Sequence, residues 1–336
     1  MATDYIKTVK PTGGDYTKIS TWESTEQQNL VTADRIGICE CYKGDYSGIN
    51  GGLNYIDDRC QVAGWTVDAT RYIKIYAPSG QRHTGKTKSG SDYTGFCIKD
   101  NGSWGSTLNI DHDFTVIEAL IVDVNSAGHE GAIDTVGGAS STIQENIICN
   151  VTATDVPAIW YGSTNKIYNN ILHDVYCGMD GINWYSGSTI YNNTVIDFTT
   201  YGIAFSPANG GGSGVWKNNL CKATAPTACF YHNPGSTDPI NQYNASSDAT
   251  ADDWDGTGCR INQTFTFANE ANNDFHLASN DAGALNFGVD LSAVFTIDID
   301  YATRPTGAGT WDIGADEYVS AGGGPDISQT WIHGVG

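Results

Sequence analysis

Positive charge is scarce: the 336-residue chain carries 17 Lys and Arg against 38 Asp and Glu, a formal net charge of −21. Nucleic acids are held by neutralising their phosphates, so this deficit excludes them as the main partner. Long apolar runs are missing too. No segment approaches the roughly 18 uninterrupted apolar residues of a membrane-spanning helix, and the opening Met1-Ala-Thr-Asp-Tyr-Ile-Lys7 has no basic region followed by an apolar stretch. The expectation is a chain with no nucleic-acid or membrane partner, made in a cytoplasm without a signal peptide. The nine cysteines lack an even count, and Cys39-Glu-Cys41 lacks a second ligand pair at zinc spacing. Cys39, Cys97, Cys149 and Cys221 sit in strand-like runs, where a thiol serves as a small apolar filler. Reduced thiols are expected, with a Cys221–Cys229 disulfide as the alternative.

Helical periodicity is also nearly absent; what replaces it is a phrase written four times. It reads Ile143-Gln-Glu-Asn146-Ile-Ile, Ile167-Tyr-Asn-Asn170-Ile-Leu, Ile190-Tyr-Asn-Asn193-Thr-Val and Trp216-Lys-Asn-Asn219-Leu-Cys, at steps of 24, 23 and 26 residues. Apolar and polar residues alternate in each copy, the period of a strand with one face in a core. So short a repeat leaves no room for a helical crossover, but it fits three short strands with turns, each turn of chain bonded to the one below. Stacked positions then lie about 4.8 Å apart. At that spacing the amides of Asn146, Asn170, Asn193 and Asn219 are predicted to bond one another in a ladder.

These copies resemble right-handed parallel β-helix proteins, over roughly residues 36 to 318. A second run strengthens the resemblance: Asp274-Phe-His-Leu277, then Asp298-Ile-Asp300, Arg304-Pro305 and Asp312-Ile-Gly-Ala-Asp-Glu-Tyr318. It is similar to the closing segment of many β-helix proteins, although Tyr301 stands where a glycine is usual. The implied fold is an all-β, right-handed parallel β-helix (solenoid) with a short N-terminal capping helix and a C-terminal closing segment. Residues 1–32 are read as an N-terminal arm and capping helix, with Ile19 and Trp22 on the helix's apolar face. Residues 33–240 form the parallel β-helix, 241–318 its C-terminal closure and 319–336 a flexible tail. Phe275, Leu277, Ile313 and Tyr318 are expected to cover the last coil, with Asp300, Arg304 and Asp312 satisfying one another.

On such a scaffold, polysaccharide hydrolysis needs two carboxylates, and lyases of this type are expected to use calcium with a Lys or Arg base. The clusters near strands are Asp111-His112-Asp113, His129-Glu130 with Asp134, and His173-Asp174 with Asp180; Asp134, Asp174 and Asp180 are the catalytic candidates. Trp160, Trp184, Tyr185 and Tyr201 are candidates for an aromatic platform. Asp253 and Asp255 alternate before glycines as in the start of a calcium loop, but no Glu closes it. No cofactor is expected, with Ca²⁺ the one open possibility.

Six of the 17 basic residues lie between Arg71 and Lys99, and Ser79–Asp92 reads as a long loop. Lys86 and Lys88 in that loop are interface candidates, as are Trp331 and Ile332 in the tail. The opening Gly13-Gly-Asp-Tyr with Ile19, Trp22 and Glu23 resembles β-helix proteins among phage structural genes. The expectation is therefore a non-enzymatic structural protein of a phage virion surface, a capsid decoration protein or tail appendage. Its expected partners are copies of itself in a homotrimer, other virion proteins such as a capsid protein, and a host-surface glycan. The alternative is an extracellular polysaccharide lyase or glycoside hydrolase.

Overall fold

The repeated phrases fall on strands that pair with one another. In the computed structural model, residues 2–100, 105–124, 131–181, 187–205, 214–233, 237–254, 256–306 and 310–319 are described. The chain is mostly β, with 42% in strands and 6% in helix. Two sheets of nine strands and one of seven carry almost all of it among the described residues. The chain visits the three in turn: Thr142–Gln144 lies in the first, Ile147–Cys149 in the second and Pro157–Tyr161 in the third, before Lys166–Tyr168 returns to the first. Strands from successive coils pair in parallel, as the 23 to 26 residue period requires.

Alternation within each strand sets the core. In the first sheet Ile143, Ile167, Ile190 and Trp216 share one register and are at most 1% exposed. Ile148, Leu172, Val195 and Cys221 do the same in the second, and Ile159, Met179, Ile203 and Phe230 in the third. All twelve belong to one cluster. Each aliphatic side chain so buried contributes about 1.5–3 kcal/mol. All nine cysteines are free thiols, and eight of them are buried.

Where first-sheet strands bend into second-sheet strands, the doubled asparagine is explained. Asn169, Asn192 and Asn218 hold φ between 49 and 55°, the left-handed region that Asn tolerates better than most residues. The following Asn turns inward. Asn170 Oδ1 accepts from both the backbone N–H and the Nδ2 of Asn146 (3.0 and 3.1 Å), Asn193 does the same for Asn170, and Asn219 for Asn193. Asn244 adds a rung absent from the sequence reading, and at the other end Asn146 Oδ1 takes the N–H of Leu120 at 3.0 Å.

Two parts differ from expectation. Thr3–Val9 is a strand in parallel register with Arg35–Cys41, so residues 1–32 are not only an arm and a helix. The helix α1, Ile19–Glu26, buries Ile19, Trp22 and Glu23. The larger difference lies in the closing motif. Ala251, Trp254, Cys259 and Ile261 pack on the central cluster beyond the last first-sheet strand, Ile240–Gln242, and of the closing motif Tyr301 joins them there.

The motif instead runs along the outside of the second sheet as a strap. Cys97, Ile121, Ile147, Ile171, Leu220 and Ala245 form an outward apolar row, broken only by Thr194 in the coil between Ile171 and Leu220, and lie buried under Phe265, Phe275, Leu277, Ile299 and Ile313. The left-handed asparagines fasten it: Asn169 Nδ2 donates to the Ile297 carbonyl at 2.7 Å, Asn192 Nδ2 to that of Asp312 at 3.1 Å and Asn218 Nδ2 to that of Val289 at 2.8 Å. Gly314 explains the glycine of the motif. Its φ is 108°, and a Cβ there would lie 2.7 Å from Thr194 Oγ1.

Asp300, Arg304 and Asp312 do not satisfy one another as expected. Arg304 pairs with Glu317 at 2.8 Å, Asp300 with His276 at 2.9 Å, and Asp312 accepts the backbone N–H groups of Asn286 and Tyr318 at 2.6 and 2.7 Å. The strap draws each side chain to the nearest opposite charge or orphan N–H.

Candidate functional site

The outward face of the third sheet gathers chemistry that the sequence scatters. In its strands the buried partners are Leu108 and Ile110, Ile159 and Tyr161, Ile203 and Phe205. The residue between each pair must therefore point away from the core. In parallel register this gives a column of Gln61, Asn109, Asp134, Trp160, Asp180, Ala204 and Tyr231. Gln61 is exposed; Asn109, Asp134, Trp160, Asp180 and Tyr231 are half-buried. Trp160 is thus flanked on its two neighbouring coils by Asp134 and Asp180, whose backbones stand two strand spacings apart, about 10 Å. One oxygen of Asp134 accepts the N–H of Val136 at 2.8 Å, which fixes its carboxylate. At the end of the column the Tyr231 ring stacks on Tyr201, centroids 4.3 Å apart.

Asp174 is not part of this column. It ends up on the second sheet, where its carboxylate holds Nδ1 of the buried His173 at 2.8 Å and is kept below the usual range by that bond. His173 in turn meets Thr87 Oγ1 at 2.8 Å and faces the Phe275 ring of the strap. The predicted pairing of Asp174 with Asp180 is therefore divided between two sheets. The Asp111-His112-Asp113 group is structural in its bonds: Gln61 donates to Asp111, Trp65 N–H to His112 Nε2 and Ala139 N–H to Asp113. His129, Glu130, Trp184, Tyr185, Asp255, Trp331 and Ile332 lie outside the described residues. Asp253 is exposed, and its backbone carbonyl accepts Asn241 Nδ2 at 2.6 Å.

The loop expected around Lys86 includes a hairpin of Lys88–Ser89 with Asp92–Tyr93. Lys86 pairs with Asp274 of the strap at 2.5 Å, and Lys88 lies over the Tyr93 ring. The acidic neighbour of Lys86 belongs to the same chain.

Among the described residues, the one group of three or more potential metal ligands is His276, Asp300 and Asp316, whose ligand atoms lie within 4.8 Å of one another. It lines a cleft of about 310 Å³ with Asp298, Glu317 and Tyr318. Its own charges compensate it. His276 sits between Asp274 and Asp300, and although burial opposes its charge, the Asp300 bond and the surrounding carboxylates push it up to about 10. An imidazolium with both nitrogens engaged fills the place a cation would take. Burial raises Asp316 and Glu317 to about 7 and Asp298 to about 6, in the latter two against the pull of Arg304.

These shifts fix a pH dependence. Each carboxyl raised above its unfolded value costs stability as pH rises from about 4 through its folded value. His276, raised above its unfolded 6.5, stabilises fully below that value, and this is lost as pH climbs through about 10. Both effects have the same sign. The strap is expected to hold more tightly at pH 5.5 than at pH 9.5, read as a higher Tm and slower proteolysis between Phe265 and Tyr318; equal values at the two pH values contradict the assignment.

A second groove, about 440 Å³, opens on the first sheet between Tyr72, Phe114, Val116, Thr142 and Lys166. Its lining is apolar, hydroxylic and basic, without a carboxylate. It therefore lacks the acid pair that glycoside hydrolysis needs. No family model matches the chain, and no curated protein matches it.

Proposed function

We propose that this chain is a non-enzymatic structural protein of a phage virion surface, folded as a right-handed parallel β-helix with α1 lying across its first coil. In this reading it assembles as a homotrimer against other virion proteins, with the tail residues Trp331 and Ile332 among the contacts, and presents the third sheet to a host-surface glycan. The observation that carries the glycan contact is the outward column, in which an indole lies between two carboxylates and two side-chain amides continue the line. Sugars are held by such a combination, an aromatic face under the C–H groups and fixed acceptors for the hydroxyls. Buried free thiols and a net charge of −21 support a soluble particle component assembled in a reducing compartment. Calcium is not required by it.

One observation favours a second reading. Two carboxylates about 10 Å apart by backbone approach the separation of about 6.5–9.5 Å at which inverting glycosidases place their acid and base. The test is direct: the purified protein is incubated with polysaccharides and examined for both retention and cleavage. Retention without new reducing ends or unsaturated products is expected. Turnover that disappears in Asp134→Asn or Asp180→Asn replaces the structural reading with a glycoside hydrolase.

A further inference from the structure

We infer that this chain cuts itself once, at its own Lys86–Thr87 peptide bond, with Thr87 as nucleophile, His173 as base and Asp174 as the residue that positions the base. The hydrogen bonds form one line: Thr87 Oγ1 lies 2.8 Å from His173 Nε2, and His173 Nδ1 lies 2.8 Å from Asp174 Oδ2. A carboxylate only accepts, so Nδ1 carries the proton of the neutral ring and Nε2 is left to accept from the hydroxyl. A hydroxyl bonded to a base that a third group orients is an activated nucleophile. Residues 86 apart in sequence meet here because Thr87 stands at the foot of the hairpin Lys88–Ser89 with Asp92–Tyr93, while His173 and Asp174 lie in the second-sheet strand Ile171–Val175.

Burial selects the substrate. Thr87 is 4% exposed and His173 1%, and the Phe275 ring of the strap lies 5.1 Å from the imidazole. An acyl compound from solution does not reach that hydroxyl. The carbonyl within its reach is the one bonded to its own nitrogen, that of Lys86, and attack on it closes a small ring of Oγ1, Cβ, Cα, N and the carbonyl carbon. That carbonyl is prepared for attack: Thr94 Oγ1 accepts the N–H of Thr84 at 3.4 Å and donates its own proton to the Lys86 carbonyl oxygen, where negative charge gathers in the step. Both sides of the bond are anchored. Lys86 Nζ pairs with Asp274 of the strap at 2.5 Å, and the Thr87 carbonyl accepts the Thr94 N–H at 3.1 Å, which holds nucleophile and carbonyl in place.

Thr87 Oγ1 bonds to the Lys86 carbonyl carbon as its proton passes to His173 Nε2; the C–N bond then breaks and the proton goes to the departing Thr87 nitrogen. An ester between Lys86 and Thr87 remains, with a free amine on Thr87. Water adds to the ester, its proton moving through His173 to Oγ1, and the products are a Lys86 carboxylate and a Thr87 ammonium. One water is consumed and nothing is oxidised. Each chain reacts once on itself, without turnover on another molecule. Residues 1–86 supply Thr3–Val9, Arg35–Cys41 and Ile73–Tyr76, which pair with one another and with Thr115–Glu118, so the two pieces stay together.

The experiment follows the intact mass of the full chain from the moment of cell-free synthesis, with and without neutral hydroxylamine, which cleaves esters. Two fragments are expected, residues 1–86 and 87–336, whose masses add to that of the chain plus one water; they should elute together on a sizing column and separate in denaturant. Hydroxylamine should speed their appearance. Thr87→Val should stay whole and Thr87→Ser, which keeps the hydroxyl, should still cleave. His173→Gln and Thr94→Val should each slow cleavage about 100-fold at unchanged Tm. Asp174→Asn should slow it as well, with part of the rate restored in Asp174→Glu, a recovery that a merely structural bond would not give. A parent chain that stays whole with and without hydroxylamine overturns the inference. So do fragments that end elsewhere, or that form as fast in a folded Thr87→Val or His173→Gln as in the parent.

Discussion

Arg304→Met is expected to lower stability by about 3–5 kcal/mol, the cost of removing one partner of a buried ion pair, and to free the strap from the side of the coils. Arg304 is 1% exposed. Its guanidinium donates to Glu317 at 2.8 Å, to the carbonyls of Gly314 and Ala315 at 3.0 and 2.8 Å, and to Asn169 Oδ1 at 3.2 Å, joining strap to coil corner. Methionine fills similar volume but takes the guanidinium away, so that Glu317 loses its counter-charge and keeps only the Asp312 N–H, while the Gly314 and Ala315 carbonyls keep only Asn192 Nδ2 and the Ile299 N–H. Because burial already raises Glu317 to about 7, the carboxyl can take a proton, and the loss should shrink at pH 5. Adding Glu317→Gln to Arg304→Met should recover part of it. Denaturant unfolding with proteolysis of the strap checks this; a variant that unfolds like the parent, with the strap still protected, shows that Arg304 fastens nothing.

The second large effect belongs to the ladder. Asn193→Leu removes the acceptor for the Asn170 N–H and Nδ2 (3.1 and 2.9 Å) and the donor to the Ile167 carbonyl (2.9 Å), all within the core. Each buried polar group left unpaired costs about 1–3 kcal/mol. Leucine regains part of this by apolar burial, so a net loss of about 2–4 kcal/mol is expected. Asn244→Leu, at the end of the row, takes the same acceptor from the Asn219 N–H and Nδ2, the latter keeping the Ile190 carbonyl, but interrupts no rung beyond it, and should cost less. Thermal or denaturant unfolding of both variants decides the matter. If Asn193→Leu melts like the parent, the row of amides does not support the coils.

The ladder was legible because a stacked position must repeat, and a repeated Asn is visible in one sequence. The role of the Asn before it was not read, although the doubling carried it: one Asn for a left-handed bend, one for the rung. Apolar pairs such as Ile147-Ile148, Ile171-Leu172 and Leu220-Cys221 also held a missed message. A strand with one wet face alternates, whereas two apolar residues in succession mark a strand covered on both faces. The cover, residues 265–318, comes from far along the chain, so no local pattern could place it on the second sheet. Resemblance to a closing segment gave the motif a role at the end of the solenoid, while its contacts lie along the side. The candidate site was half visible. Asp134, Asp180 and Trp160 were each singled out, but their column depends on the coil-to-coil register of the third sheet, whose strands carry no repeated phrase. Asp174, close to Asp180 in sequence, lies in the second-sheet strand Ile171–Val175, and the chain turns into the third-sheet strand Cys177–Gly181 only after it.

The most direct test of the glycan contact is a crystal or electron cryomicroscopy structure of the protein with an oligosaccharide of whichever polysaccharide retains it. Sugar density is expected along the outward face of the third sheet, with a ring over Trp160 and hydroxyls within hydrogen-bonding distance of Asp134 and Asp180. Density seated instead on the first sheet, between Tyr72, Phe114 and Lys166, with the Trp160 face bare, would contradict it.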